Sequence, residues 1–319
     1  SISLHLDKSA APAIRERFNS FNKYNQRIAA ECLGRIGSAV DVPLLLNSLT
    51  SETDRALEHS LIYAAIEIGD TVPIKALLNS NNIATARGAL IALDQIPDND
   101  LQPEFALSAI QAEQPSMRTT GWWLLANHPE WAALLPDYFR QQIQQDIKDV
   151  GQRQLLLERL SSYINTPEIL KMSGELMHSG NTATQTFVLE AISNTKLATV
   201  PESITNGILR GLNSADADTL TLAVQAANAI RGDKPDQALQ TRLLNVYLTS
   251  TNTPTIRLAA LSAIPPQNRP LNADTLNDIQ QYAGVSHPLQ LQSLTVDLLV
   301  SSPWPTNQWR EIPQVISTL

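Results

Sequence analysis

The sequence predicts an all-α fold, a right-handed α-α superhelix of about nine helical hairpins stacked side by side, and three observations predict it. The first is the segment RALEHSLIYAAIEIGD, which begins at Arg55. Leu57, Leu61, Ala64, Ala65 and Ile68 follow the 3, 4, 7, 8 spacing of one helical stripe, while Ile62 and Ile66 form a second stripe about a third of a turn away. A helix with two apolar faces needs two packing partners, which a stack of helices supplies. The second is recurrence. RIAAECLGRI (Arg27 to Ile36), HSLIYAAIEI (His59 to Ile68), RGALIALDQI (Arg87 to Ile96) and RTTGWWLLAN (Arg118 to Asn127) start 32, 28 and 31 residues apart. The third is composition: 43% hydrophobic residues, but 5% aromatic residues and 12 glycines in 319, low for a β-sandwich or barrel.

A period near 30 residues accommodates two helices of about a dozen residues and two short turns, the size of a HEAT/armadillo-like solenoid repeat. Between the inner helices lie VDVPLLLNSL (Val40 to Leu49), TVPIKALLNS (Thr71 to Ser80) and LQPEFALSAI (Leu101 to Ile110), each with a proline near its beginning. Proline is tolerated in a first turn, where its missing N–H had no partner, so these prolines mark helix starts. After Ala126 the spacing loosens. NHPEWAALLPDYFRQQIQQDI reads as a longer helix, GQRQLLLERLSSYI (Gly151 to Ile164) restores the aliphatic stripe, and Thr166 and Pro167 read as a capped helix start. TQTFVLEAIS, LTLAVQAANAI, IRLAALSAI and LQLQSLTVDLLV, beginning at Thr184, Leu220, Ile256 and Leu289, are further inner helices. Their connectors are short and polar, so residues 1–319 read as a single solenoid domain. Residues 1–131 are most regular, 132–300 looser, and the proline-rich 301–319 reads as a capping or junction segment.

A formal charge of −8, with seven lysines, argues against a nucleic-acid surface, which needs clustered cations to neutralise several phosphates. No run of about 18 apolar residues is present to insert into a bilayer. The opening SISLHLDKSAAPAIRERF lacks a basic head and hydrophobic core, so no signal peptide is expected within these residues. The single cysteine, Cys32, falls within a helical pattern and reads as a small buried apolar residue.

RALEHSLIYAAIEIGD, ARGALIALDQI and GWWLLANHPEW, in this order, resemble the helical-repeat segment of large bacterial haem-binding, membrane-bound-dehydrogenase-like proteins of the planctomycete, verrucomicrobial and bacteroidete type. The match is most specific over 55–131 and beyond about Ile164 is generic repeat patterning. The resemblance implies a segment of a longer exported, periplasmic protein, with a sugar-dehydrogenase-like β-propeller before the repeats and a c-type cytochrome module after them. Haem c is accordingly expected on a separate domain. Cys-x-x-Cys-His is absent here, so this segment is expected not to attach haem covalently, and separately no catalytic, cofactor-binding or metal-ligating residue is expected in it.

Candidate sites are few. His59 beside Glu58 reads either as a ligand or acid/base group or as filling the arginine position of its repeat and hydrogen-bonding a turn. Arg27, Arg87, Arg118 and Arg257, at the heads of inner helices, read as a basic stripe or as partners of turn residues whose stems cover apolar surface. Trp122 and Trp123 lie about 100° apart on one helix, so one belongs to the core and the other can reach a groove. Trp123, His128, Trp131, Trp304 and Trp309 are the candidate interface residues, the last two because an apolar stack end commonly covers a neighbouring module. His5, His178 and His287 are isolated. No phosphate loop, nucleophile elbow or zinc motif occurs. The residues point to a non-catalytic scaffold that contacts flanking domains or another protein. The alternatives are a groove that completes the active site of an adjacent dehydrogenase domain, or an independent peptide-binding module.

Overall fold

The computed structural model describes residues 6–145, 147–232, 236–284 and 286–309, with the backbone alone for Asn307 and Trp309. No strand occurs among the described residues, and the chain is a succession of short helices packed on their neighbours. It divides into two compact units, Ser1–Trp131 and Ala132–Leu319, at the residue where the most regular part of the sequence repeat ends.

The first unit contains α1 (Ala11–Arg17), α2 (Lys23–Ile36), α3 (Val42–Asn47), α4 (Arg55–Ile68), α5 (Thr71–Leu77), α6 (Ile83–Gln95), α7 (Pro103–Ile110) and α8 (Pro115–Asn127). The long helices α2, α4, α6 and α8 each pack on the next, forming one layer, while α3, α5 and α7 pair with α4, α6 and α8 as hairpins. Both stripes of α4 are used: Leu57, Leu61, Ala64 and Ala65 are buried together with Ile62, whereas Ile66 and Ile68 are half-buried. Helix starts are set locally. Asn22, Asp54 and Asn82 accept hydrogen bonds from backbone N–H groups of the first turns of α2, α4 and α6, satisfying donors that have no partner within the helix. The prolines of the shorter helices lie in their first turns, at Pro43, Pro73 and Pro103.

The second unit contains α9 (Pro136–Gln144), α10 (Val150–Tyr163), α11 (Pro167–His178), α12 (Thr182–Ser193), α13 (Glu202–Leu212), α14 (Ala217–Ala229), α15 (Gln237–Leu248), α16 (Pro254–Ala263), α17 (Ala273–Gln280), α18 (Leu289–Ser301) and α19 (Thr306–Trp309). Again two layers form, α10, α12, α14, α16 and α18 in one and α9, α11, α13 and α15 in the other. Two local expectations are corrected. NHPEWAALLPDYFRQQIQQDI is not one longer helix: Pro129–Leu134 forms 3₁₀ turns and Pro136 starts α9 afresh, because a proline has no N–H to continue the preceding ladder. Thr166 occupies the cap position of α11, but its side chain makes no capping hydrogen bond, leaving Pro167 to define that start.

Candidate functional site

The layer of long helices in the first unit carries an open groove of about 320 Å³. Arg55, Glu58, His59, Ile62, Tyr63 and Ile66 line it from α4, where spacings of three and four place them on one face. Ile91 and Gln95 line it from α6 and Trp123 from α8. Both residues of the second apolar stripe of α4 therefore form groove wall, Ile62 buried and Ile66 half-buried. Tyr63 is exposed and its ring lies parallel to that of His59, with centroids 6.0 Å apart. Trp123 is 37% exposed. Arg87 ties the three helices together. Its Nε donates to Thr120 Oγ1 on α8 at 2.9 Å and its Nη1 to Glu58 Oε1 on α4 at 2.9 Å, so one guanidinium on α6 fixes three helices relative to one another.

Beyond the groove, at the end of α8, the imidazole of His128 is held between two carboxylates. Nε2 lies 2.6 Å from Asp94 Oδ1 and Nδ1 lies 3.1 Å from Glu130 Oε1. Trp131 stacks on the ring, 3.9 Å between centroids and 8° from parallel. Burial opposes a charge on this imidazole, but the hydrogen bonds to Asp94 and Glu130 outweigh it and raise its pKa above 6.5. With both ring nitrogens facing carboxylate oxygens, the favoured species is the imidazolium, donating twice. Such a group is an ion-pair centre rather than a general base, which needs a free nitrogen lone pair.

The sequence-predicted residues are distributed as follows. Trp123 lines the groove, while Trp122 is half-buried on another side of α8. His128 and Trp131 join each other and Asp94. Trp304 lies within the second unit: it is 3% exposed, its indole N–H donates to Leu299 O at 3.0 Å, and it is packed as core rather than offered at a surface. The side chain of Trp309 and the whole of His5 lie outside the described residues. Among the described residues His59 makes no hydrogen bond to a turn, and its ring stacks on that of Tyr63. Of the arginines, Arg27 pairs with Glu31 on its own helix and Arg118 donates to the Ala112 and Glu113 carbonyls of the preceding turn. Arg257 pairs with Asp278 and lies over the Tyr247 ring, whose phenol is held well above its ordinary pKa by burial and by Asp278. Cys32 is half-buried rather than core. His178 and His287 each approach one backbone carbonyl. Among the described residues no cluster of three or more His, Cys, Asp or Glu side chains is arranged to hold a metal ion, and no helix is long and apolar enough to cross a membrane.

The pairing of Asp94 with His128 is the feature sequence reasoning missed. Its only signal is that the two positions lie about one repeat apart, which brings them to adjacent helices once the period is known.

No family model matches the sequence, and no curated protein does. Among solved structures, the crystal structure of an engineered protein is similar over 96% of this chain and 92% of its own, at 17% identity and a TM-score of 0.39, a likeness that carries no argument.

Proposed function

We propose that this chain is a non-catalytic interaction scaffold, a helical-repeat segment of a larger exported redox protein whose catalytic and haem-carrying chemistry resides on other domains. The observation that carries this reading is the groove of the first unit, where Trp123 and Tyr63 stand exposed beside Ile66 and Ile91 on helices that Arg87 ties together. Shape and aromatic area suffice for docking, whereas a reaction needs a converging nucleophile, base or electrophile. The occupant that fits is an extended segment of a flanking domain or partner protein, with an apolar side chain for Trp123 and an acidic residue for Arg55. Arg87 is already neutralised by Glu58, while Arg55 lines the groove without an ion pair among the described residues. The periplasmic location and the redox neighbours rest on the resemblance carried by residues 55–131.

Photo-crosslinking in the parent protein tests the reading. A crosslinker in place of Tyr63 is expected to capture a segment of that apolar and acidic character, whereas one in place of Val72, exposed on α5, captures none. Equal labelling from both positions would remove the groove as the docking surface. Kinetics separate the scaffold from a groove that completes a neighbour's active site. For a scaffold, Trp123→Ala leaves the substrate KM of the parent enzyme unchanged; a raised KM assigns the groove to substrate binding.

A further inference from the structure

The second unit holds a cavity of about 360 Å³ between α13, α14, α15 and α16. Its walls are largely apolar, with Ile230, Leu239, Leu243 and Ala263 among them, and Arg231 stands among the lining residues. Close by is Arg269, 6% exposed. Its Nε donates to Ile264 O at 3.0 Å, its Nη2 to Ser262 O at 3.0 Å, and its Nη1 to Ser301 Oγ and Ser302 Oγ at 2.8 Å each. All four acceptors are neutral. Arg231 donates from Nη1 to the same Ser262 carbonyl at 2.9 Å, so two guanidinium groups converge on one oxygen.

Arg118, Arg210 and Arg242 also donate to backbone carbonyls, but none of them is buried, whereas Arg269 is. Arg15, Arg87, Arg153 and Arg257 each meet a carboxylate within 3 Å, at Asp41, Glu58, Glu190 and Asp278. Among the described residues, neither Arg231 nor Arg269 has an ion-pair partner. Burial pushes Arg269 down to about 10, and the charge of Arg231 pushes it the same way, yet it stays protonated at neutral pH. Asp236 also lines the cavity, but its carboxylate is engaged with Leu239 N, capping α15. Asp233 and Lys234, which follow Arg231 in the sequence, lie outside the described residues. A buried cation is costly unless an anion or strong dipoles compensate it, and an apolar cavity strengthens the attraction for any anion entering it.

We propose that this cavity binds a carboxylate borne on an apolar body, the carboxylate meeting Arg231 in the field of Arg269 and the body packing against Ile230, Leu239 and Leu243. The guanidinium fork matches the two oxygens of a carboxylate, and the walls favour an aliphatic body over a hydrated one. A free short-chain acid and the C-terminus of a peptide ending in an aliphatic side chain share this chemistry.

Titration of the full chain, followed by calorimetry and amide NMR, tests the site with four probes: hexanoate, hexan-1-ol, a peptide ending in leucine, and the same peptide as its C-terminal amide. Hexanoate, the peptide acid or both are expected to bind saturably, at least about tenfold more tightly than the uncharged counterpart, with signal changes at Leu239 and Leu243. Which acid binds identifies the source. Arg231→Gln, a change at an exposed side chain, is expected to abolish that preference; independently, the preferred acid raises the melting temperature of the unsubstituted chain and its uncharged counterpart does not. Acids that bind no better than the alcohol and the amide, a preference that survives Arg231→Gln in a folded variant, or saturation by inorganic phosphate alone would each overturn the proposal.

Discussion

The imidazole Nε2 of His128 lies 2.6 Å from Oδ1 of Asp94, a carboxylate whose side chain is only 2% exposed, and this pair joins the end of α8 to α6. Because the folded-state pKa of His128 is raised above the ordinary 6.5, the stabilisation from its protonated form is fully present below 6.5 and disappears as pH climbs through the higher folded value. Chemical unfolding of the natural chain and His128→Asn across this range should give a stability difference on the order of 1 kcal/mol on the acid side of the window, shrinking toward alkaline pH. A difference that stays flat, or grows with pH, contradicts the ion-pair assignment.

Asp41 is fully buried and accepts from Arg15 Nε at 2.6 Å, Arg15 Nη2 at 3.1 Å and Ser38 N at 2.9 Å, joining α1 to the entrance of α3. Arg15→Met removes two of these donors and leaves a buried carboxylate with one. Losing a partner of a buried charge costs about 3–5 kcal/mol, reduced here to roughly 2 kcal/mol because Arg15 is itself partly solvated. Urea midpoints measure it, and adding Asp41→Asn to Arg15→Met should recover part of the loss. A single variant within about 0.5 kcal/mol of the natural chain defeats the argument.

What the residues disclosed in advance was whatever depends on periodicity. The stripes of α4 and the recurrence of its pattern at α2, α6 and α8 gave helix type, order and approximate bounds, because burying a face is a property of spacing alone. The division of Trp122 and Trp123 between two directions followed from the same geometry. Features decided by a distant partner were hidden. Asp94 and His128 meet only after helices stack, and Trp304 was legible as an apolar residue near the end of the chain but not as core, since Leu299 supplies its carbonyl only through the turn after α18. Arg269 carried no signal either, because its four acceptors are carbonyls and hydroxyls found in every sequence.

Trp304 and Trp123 should respond oppositely to the same substitution. Trp304→Phe loses the indole hydrogen bond to Leu299 O and leaves unfilled volume in a closed site, a loss of about 1–3 kcal/mol. Trp123→Phe removes ring area from a side chain already in contact with water and should change stability by less than about 0.5 kcal/mol. Thermal unfolding of the two variants side by side decides it. Equal shifts would mean that Trp123 is structural and the groove is not free to dock anything.

Gly121 sets how closely α8 approaches the end of α7. A Cβ built there would lie 2.7 Å from Ile110 N and 2.9 Å from Ala109 C, closer than a side-chain carbon can approach backbone atoms, so the helices would have to separate. Alanine is the better helix former by up to about 1 kcal/mol, and at an unhindered site the change would stabilise. Here the clash is with backbone, which cannot rotate away, and overpacking of this kind costs about 1–3 kcal/mol. Gly121→Ala should therefore lower the melting temperature despite its favourable propensity, while weakening ligand binding in the groove through displacement of Trp123, two residues along the same helix. An unchanged or raised melting temperature would show that the two helices do not pack at the distance described.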